Sequence, residues 1–197
     1  MNSFIESAIG LSDLPIALLS LIFSILSKKN RNIEWSIVFL FTGISAIIGT
    51  VAHTFAFSDL MYKLIWTVLY IFLFDTVRRY TLLFTNLVRK SESVKKYLIA
   101  IEVSLYIVCL FFLFVIEKYD ILIFVFFSAV CLCLLIYKIF KYRNRNKYFL
   151  SIFCLVSVSV IMQILSNNLR ILIVAEHLFI FSALFVVYQM SKLNENS

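Results

Sequence analysis

Among the ionisable residues that lie within apolar stretches of the sequence, where a membrane-spanning segment rarely carries a charge, three are candidates for holding a metal ion. They are Asp13, His53 and His177, and these two histidines are the only ones in the chain. An ionisable side chain inside a bilayer costs a few kcal/mol and is by default a candidate functional residue. Imidazole and carboxylate groups suit zinc, and three such ligands with an open fourth position are typical of a catalytic site. This pattern predicts that Asp13, His53 and His177 hold a zinc ion whose bound water is the nucleophile.

Acidic residues beside these ligands are candidates for proton transfer. Glu6 precedes Asp13 by two helical turns, and we assign a catalytic role to both residues. Glu176 directly precedes His177, so the two side chains cannot point in the same direction, and we do not expect Glu176 to be a direct ligand. The sequence contains no His-Glu-x-x-His motif, so the zinc site depends on three helices meeting at one depth.

The same residues have two other interpretations. Two histidines at one depth could be the axial ligands of a haem held between the second and seventh apolar segments. Alternatively, both imidazoles hydrogen-bond to Asp13 and its neighbours, and the polar contacts hold helices together in the bilayer.

Seven apolar segments carry these residues. The 197 residues are 62% hydrophobic and 15% charged, which excludes an ordinary soluble domain. A transmembrane helix needs about 20 apolar residues. Clusters of charge divide the chain into segments at residues 5–26, 35–57, 60 onward, 97–116, 121–137, 148–166 and 171–190. We therefore predict an all-α, seven-helix transmembrane bundle that forms a single domain over residues 1–197.

Basic residues predict the orientation of this bundle. Fifteen Lys and Arg lie on the side that contains the predicted C-terminal tail, and three lie on the other side, namely Lys63, Lys118 and Arg170. Because basic loops stay in the cytoplasm, the N-terminus is expected outside and the C-terminus inside, in the inner membrane of a bacterium. The net charge of +7 then reflects topology and contact with anionic lipid, and we expect no nucleic-acid partner.

Depth brings the three candidate ligands together. At about 1.5 Å per residue, His53 lies about 6 Å and His177 about 9 Å inside the outer ends of their segments, and Asp13 lies at a comparable level.

A second group of ionisable residues lies deeper in the third and fourth segments. Asp75 precedes Arg78 and Arg79 by one turn, which predicts intrahelical ion pairs, and Glu102 lies at a similar level. We interpret this second group as a self-compensating charge cluster that joins the third and fourth helices; the alternative is that it belongs to an ion pathway.

The candidate residues also resemble those of a known group. The stretch Glu6-Ser-Ala-Ile-Gly-Leu-Ser-Asp13 is similar to the opening of uncharacterised bacterial seven-helix proteins, and the run from Trp35 through Gly49-x-x-x-His53 is similar to their second helix. More distantly, the arrangement resembles the CREST superfamily, which includes alkaline ceramidases, progestin and adiponectin receptors and haemolysin-III-like proteins. This resemblance implies zinc ligands at His53 and His177. Phe181 stands where a second histidine of the last helix would be expected.

Together these observations favour a metal-dependent hydrolase that acts on an amide or ester bond of a membrane lipid. The competing class is a non-enzymatic membrane protein: a receptor-like protein, an immunity protein or an accessory subunit of a pore. In that class the partner is another membrane protein or a second copy of this chain.

Overall fold

The computed structural model describes residues 3–55, 57–85, 92–116 and 172–193, and this part of the chain is helical without any β-strand. Five helices are present in it: α1 (Ser3–Lys29), α2 (Ile33–Thr54), α3 (Asp59–Thr85), α4 (Glu92–Phe114) and α5 (Leu172–Leu193). They correspond to the predicted first, second, third, fourth and seventh segments, so the all-α prediction is confirmed for these residues. The predicted segments at residues 121–137 and 148–166 lie outside the described residues.

Three of these helices are long and apolar enough to cross a membrane. The candidate spans are Ala8–Lys29, Ile33–Thr54 and Asp59–Tyr80, and shorter apolar stretches occupy Ile99–Phe114 and Ile180–Gln189. Large apolar side chains such as Leu18, Ile25 and Leu64 are exposed on the helix surfaces, as expected where the surroundings are hydrocarbon. These features indicate a membrane protein.

The described helices belong to two compact units, one containing α1, α2 and α5 and the other containing α3 and α4. In the first unit, α1 contacts both α2 and α5. Its aromatic core is centred on Phe23 of α1, whose ring stacks on that of Tyr188 at a centroid distance of 4.1 Å and meets the edge of Phe39 at 5.6 Å. These rings attach α1 to α5 and α2, so the three helices are held together at the end far from Asp13.

The turn between α1 and α2 is short and specific. Lys28 and Lys29 occupy the last turn of α1, where positive charge interacts favourably with the helix dipole. Arg31 adopts a positive φ of 60°, and the amides of Arg31 and Asn32 donate to the carbonyls of Lys28 and Ser27. This is the Schellman arrangement, in which a left-handed residue closes the helix. The chain therefore reverses within three residues, and Ser24 of α1 donates a hydrogen bond of 2.8 Å to the Ser36 carbonyl of α2.

In the second unit, ion pairs join α3 to α4. The guanidinium group of Arg78 donates to Asp75 on its own helix and to Glu102 on α4, and Arg79 donates to Asp75. We call these four residues the arginine–carboxylate cluster. The predicted intrahelical pairs form because i,i+3 and i,i+4 residues share a helix face, and they are confirmed. The predicted link between α3 and Glu102 of α4 is also confirmed.

Candidate functional site

The described residues contain one cluster in which a hydroxyl, an imidazole and a carboxylate meet. Ser12 and Asp13 are consecutive residues of α1, and His177 lies near the start of α5. The hydroxyl oxygen of Ser12 lies 2.6 Å from Nδ1 of His177, and Nε2 of the same ring lies 3.5 Å from Oδ1 of Asp13. One imidazole therefore contacts both Ser12 and Asp13, one through each ring nitrogen. We call Ser12, Asp13 and His177 the serine–histidine–aspartate cluster.

The cluster is shielded from its surroundings. The side chains of Asp13 and His177 are 11% and 12% exposed, and Ser12 is partly buried. Electrostatic interactions are stronger in such an environment because little water screens them. A buried carboxylate is costly without a partner, so its contact with the imidazole is the interaction expected to hold it in place.

Close packing of α1 against α2 fixes the carboxylate of Asp13. A Cβ atom built on Gly49 of α2 would lie 2.7 Å from Oδ2 of Asp13, so only glycine leaves room for the carboxylate in its present position. Gly10 of α1 likewise allows the close approach of α2. A Cβ atom at Gly10 would lie 3.0 Å from the carbonyl oxygen of Thr50 and 3.3 Å from Cβ of His53. Small residues commonly permit such close approach of helices in membranes.

Local helix structure also shapes the site. Pro15 lies inside α1, two residues after Asp13, and cannot donate the helical hydrogen bond to the carbonyl of Leu11. The site therefore lies on the turn of α1 where the helical hydrogen-bond ladder is interrupted. Such interruptions let side chains adopt positions that a regular helix does not offer.

The Ser12 hydroxyl has two acceptors within reach but one proton to donate. Its oxygen lies 2.6 Å from the carbonyl oxygen of Ile9 and 2.6 Å from Nδ1 of His177. When the hydroxyl donates to Ile9, Nδ1 must carry the proton and donate to Ser12. When it donates to Nδ1, the ring proton is on Nε2 and faces Asp13. The cluster thus supports two proton arrangements that differ by rotation of one hydroxyl and a change of tautomer.

The structure brings two of the three predicted metal ligands, Asp13 and His177, into contact. His53 lies against the same stretch of α1, with its Cβ atom 3.3 Å from a Cβ atom built on Gly10. However, His53 lies in the last turn of α2, which ends at Thr54 rather than at residue 57 as predicted. The backbones of Glu6 and Glu176 belong to α1 and α5, but their side chains lie outside the described set.

A zinc ion fits part of this arrangement. Two ligands of a tetrahedral zinc, each about 2.0–2.2 Å from the metal, lie roughly 3.3–3.6 Å apart. The separation of 3.5 Å between Nε2 of His177 and Oδ1 of Asp13 falls in that range. Within the described residues, no group of three His, Cys, Asp or Glu side chains could hold a metal ion. The structure therefore supplies a pair of potential ligands, and the zinc site stays a prediction.

Sequence reasoning did not single out Ser12. Serines recur along α1, and depth alone does not distinguish one from another. The one feature of the sequence that could have identified Ser12 is its position directly before Asp13. An imidazole that contacts Asp13 through one ring nitrogen can contact the preceding residue through the other.

Comparisons with known proteins place the chain in a family but assign it no activity. No curated protein and no solved structure matches it. One family model matches residues 8–195 and so covers α1 from Ala8 onward, including Ser12 and Asp13, together with His177 of α5. The chain belongs to DUF6962, a family of unknown function.

Proposed function

We propose that the protein is a membrane-embedded hydrolase that cleaves an ester or amide bond of a lipid. The observation that carries the proposal is the contact of one buried imidazole, His177, with a hydroxyl on one side and the Asp13 carboxylate on the other. In such an arrangement the imidazole acts as general base and then as general acid, and the carboxylate orients the ring and stabilises its charged form.

The surroundings of the cluster support a lipid substrate. Ser12 lies four residues inside the candidate span Ala8–Lys29, which places it about 6 Å from the end of that span. The interfacial layers of a bilayer lie outside a hydrocarbon core about 30 Å thick, and the ester and amide groups of lipids lie near that boundary. A lipid carbonyl can therefore reach this depth while its acyl chain remains in the core.

The proposal includes the predicted topology. The chain crosses the inner membrane of a bacterium seven times, with the N-terminus outside and the C-terminus in the cytoplasm. The excess of fifteen basic residues over three supports this orientation. A reporter domain fused after Lys192 and active only outside the cell would contradict it.

Zinc is a separate part of the proposal; it derives from the residue types of Asp13, His53 and His177, and the resemblance to the CREST superfamily adds to it. Asp13 and His177 would hold the ion, with His53 as the predicted third ligand, and zinc would supply an activated water. Metal analysis of the purified protein and of His53→Ala tests this part. We expect zinc at one per chain in the wild type and less in the variant; no zinc in either would exclude it. A Soret absorption band would instead favour the haem interpretation.

Lipid hydrolysis itself is measured with the full-length protein in nanodiscs that contain phosphatidylethanolamine, phosphatidylglycerol and ceramide. Release of fatty acid is followed by mass spectrometry in the wild type, in His177→Gln and in the control Asp59→Asn, whose carboxylate is 77% exposed. Loss of a general base lowers rates by about 10²–10⁴-fold, so His177→Gln should fall by that factor while the control does not.

The competing proposal is that the cluster only joins helices and that the protein is non-enzymatic. The close packing of Gly10 and Gly49 against α2 and α1 favours this second reading. It requires that His177→Gln lowers the unfolding temperature and that the wild type releases no fatty acid above empty nanodiscs. That pair of results would replace the hydrolase proposal.

A further inference from the structure

We infer that Ser12 is the nucleophile of this hydrolase and carries the acyl group of the lipid as a covalent ester during turnover. The inference rests on the proposed function and names the reacting atom at the same site. It is an alternative to the zinc part of that proposal, because a zinc ion between Nε2 of His177 and Asp13 would take the place of the ring proton. In the zinc mechanism water attacks directly and no covalent intermediate forms.

The geometry of the serine–histidine–aspartate cluster is that of an activated nucleophile. A nucleophile and its base should lie within about 2.6–3.2 Å, and the base should be oriented by a third group. The oxygen of Ser12 lies 2.6 Å from Nδ1 of His177, and Asp13 lies on the opposite edge of the ring at 3.5 Å from Nε2. Such sites are recognised by the geometry and roles of their residues, not by order in the sequence. In this cluster Nδ1 faces the serine and Nε2 faces the carboxylate, which reverses the ring orientation of the serine-protease triad.

The hydroxyl must leave the Ile9 carbonyl to become reactive. In the arrangement in which Ser12 donates to Ile9, its oxygen accepts a hydrogen bond from Nδ1–H of His177 and is not activated. Rotation of the hydroxyl toward Nδ1, with the ring proton on Nε2 facing Asp13, gives the reactive arrangement. Both acceptors lie 2.6 Å away, so the change requires no movement of heavy atoms.

The reaction then balances with water as the co-reactant. The oxygen of Ser12 attacks the acyl carbon while its proton passes to Nδ1 of His177. The bond from the acyl carbon to the leaving oxygen or nitrogen breaks, and the lipid alcohol or amine takes that proton. In the second half, water attacks the acyl ester and gives a proton to Nδ1. The bond to Ser12 breaks, Ser12 regains the proton, and the fatty acid leaves.

Access for an acyl chain comes from the surface of the helices beside the cluster. Leu11, adjacent to Ser12, is 57% exposed, and Leu178, adjacent to His177, is 63% exposed. Both leucines adjoin the reacting residues in sequence, and they present apolar surface outward, about 100° around each helix from the reacting side chains. An acyl chain that packs against them brings its carbonyl toward Ser12 from the hydrocarbon side, which fits a lipid rather than a water-soluble ester.

An alkyl fluorophosphonate tests the inference, because it phosphonylates activated serines with loss of fluoride. Wild-type protein in nanodiscs is incubated with the probe, and the modified residue is identified by peptide mass spectrometry. We expect one label per chain at Ser12, insensitive to EDTA, and no label in Ser12→Ala. The control Ser182→Ala, whose hydroxyl donates to the Leu178 carbonyl, should label like the wild type. His177→Gln should label at least 100-fold more slowly.

The mapping of the label in the wild type does not depend on any variant being folded. If the wild type hydrolyses lipid but Ser12 is not labelled, the nucleophile is a different group and the hydrolase proposal stands. If Ser12→Ala hydrolyses lipid at the wild-type rate, the inference is wrong, because a group other than Ser12 is then the nucleophile. If neither labelling nor hydrolysis is detected, both the inference and the proposed function are wrong.

Discussion

The serine–histidine–aspartate cluster and the arginine–carboxylate cluster are both polar groups on apolar helices, but they differ in charge balance. In the arginine–carboxylate cluster two guanidinium groups face two carboxylates, and each charge has an opposite charge beside it. In the serine–histidine–aspartate cluster the carboxylate of Asp13 faces an imidazole that is charged only when protonated. The second arrangement is a poor way to stabilise a helix pair in a membrane.

This difference in charge balance indicates a structural role for the arginine–carboxylate cluster and a chemical role for the serine–histidine–aspartate cluster. Paired charges lower the cost of their own burial, so attachment of α3 to α4 accounts for all four members of the arginine–carboxylate cluster. Burying Asp13 opposite an imidazole leaves a cost that packing has to offset. Proteins commonly keep such costly groups where they perform chemistry. Four substitutions test whether the two clusters differ in this way.

The largest effect is expected for Asp13→Asn. The amide keeps the shape of the side chain but cannot stabilise a charged imidazole, so lipid hydrolysis should fall about 10⁴-fold while the unfolding temperature changes by a few degrees at most. Fatty acid release and thermal unfolding in nanodiscs give both values. Glu102→Gln, the matched acid-to-amide change in the other cluster, should show the opposite pattern. A loss of stability without a loss of hydrolysis in Asp13→Asn would remove the distinction between the clusters.

Arg78→Gln should give the largest loss of stability. It removes the partner of Glu102 and one partner of Asp75, and unpairing a buried charge costs about 3–5 kcal/mol. Reversible unfolding in detergent measures the change. The double variant Arg78→Gln/Glu102→Gln leaves the pair of Asp75 with Arg79 and should recover more than half of the loss. Equal stability of the single and double variants would show that the ion pairs contribute little.

Gly49→Ala should have a smaller effect, and mainly on hydrolysis. The new Cβ atom would lie 2.7 Å from Oδ2 of Asp13 and must displace the carboxylate. A shift of this kind lowers catalytic rates about tenfold or more. Gly43→Ala is the matched control, because its Cβ atom would meet the flexible Leu21 side chain at 3.1 Å, away from the cluster. If both alanine variants lose hydrolysis equally, the effect comes from helix packing and not from Asp13.

The smallest effect is expected for Arg31→Gly in the turn between α1 and α2. Arg31 has a φ of 60°, which glycine adopts without the cost that a side chain imposes. The substitution should raise the free energy of unfolding by up to about 1 kcal/mol without changing hydrolysis. Asn30→Gly, at the preceding residue, which has no positive φ, should not stabilise. A gain in both variants would mean that the backbone at Arg31 is not the cause.

Local patterns in the sequence were sufficient to predict the five helices that the structure describes and the arginine–carboxylate cluster. Asp75, Arg78 and Arg79 lie one turn apart on a single helix, so their pairing follows from spacing alone. Depth was sufficient to bring Asp13 and His177 to one level. It could not identify Ser12, because depth gives the position of a residue along the helix but not the rotation of α5 relative to α1. The end of α2 was also misplaced, because the apolar run continues to Phe57 while Phe55 already has an extended backbone.

The distance in sequence between Ser12 and His177 has a consequence for synthesis of the protein. Asn30, Arg31 and Asn32 alone separate α1 from α2, so these helices enter the bilayer as one hairpin that already carries Ser12, Asp13 and His53. His177 follows Ser12 by 165 residues, which a ribosome adds in roughly 10–30 seconds. In the proposed mechanism a nascent chain therefore holds the nucleophile Ser12 without its base, and it cannot cleave the surrounding lipid until α5 is inserted.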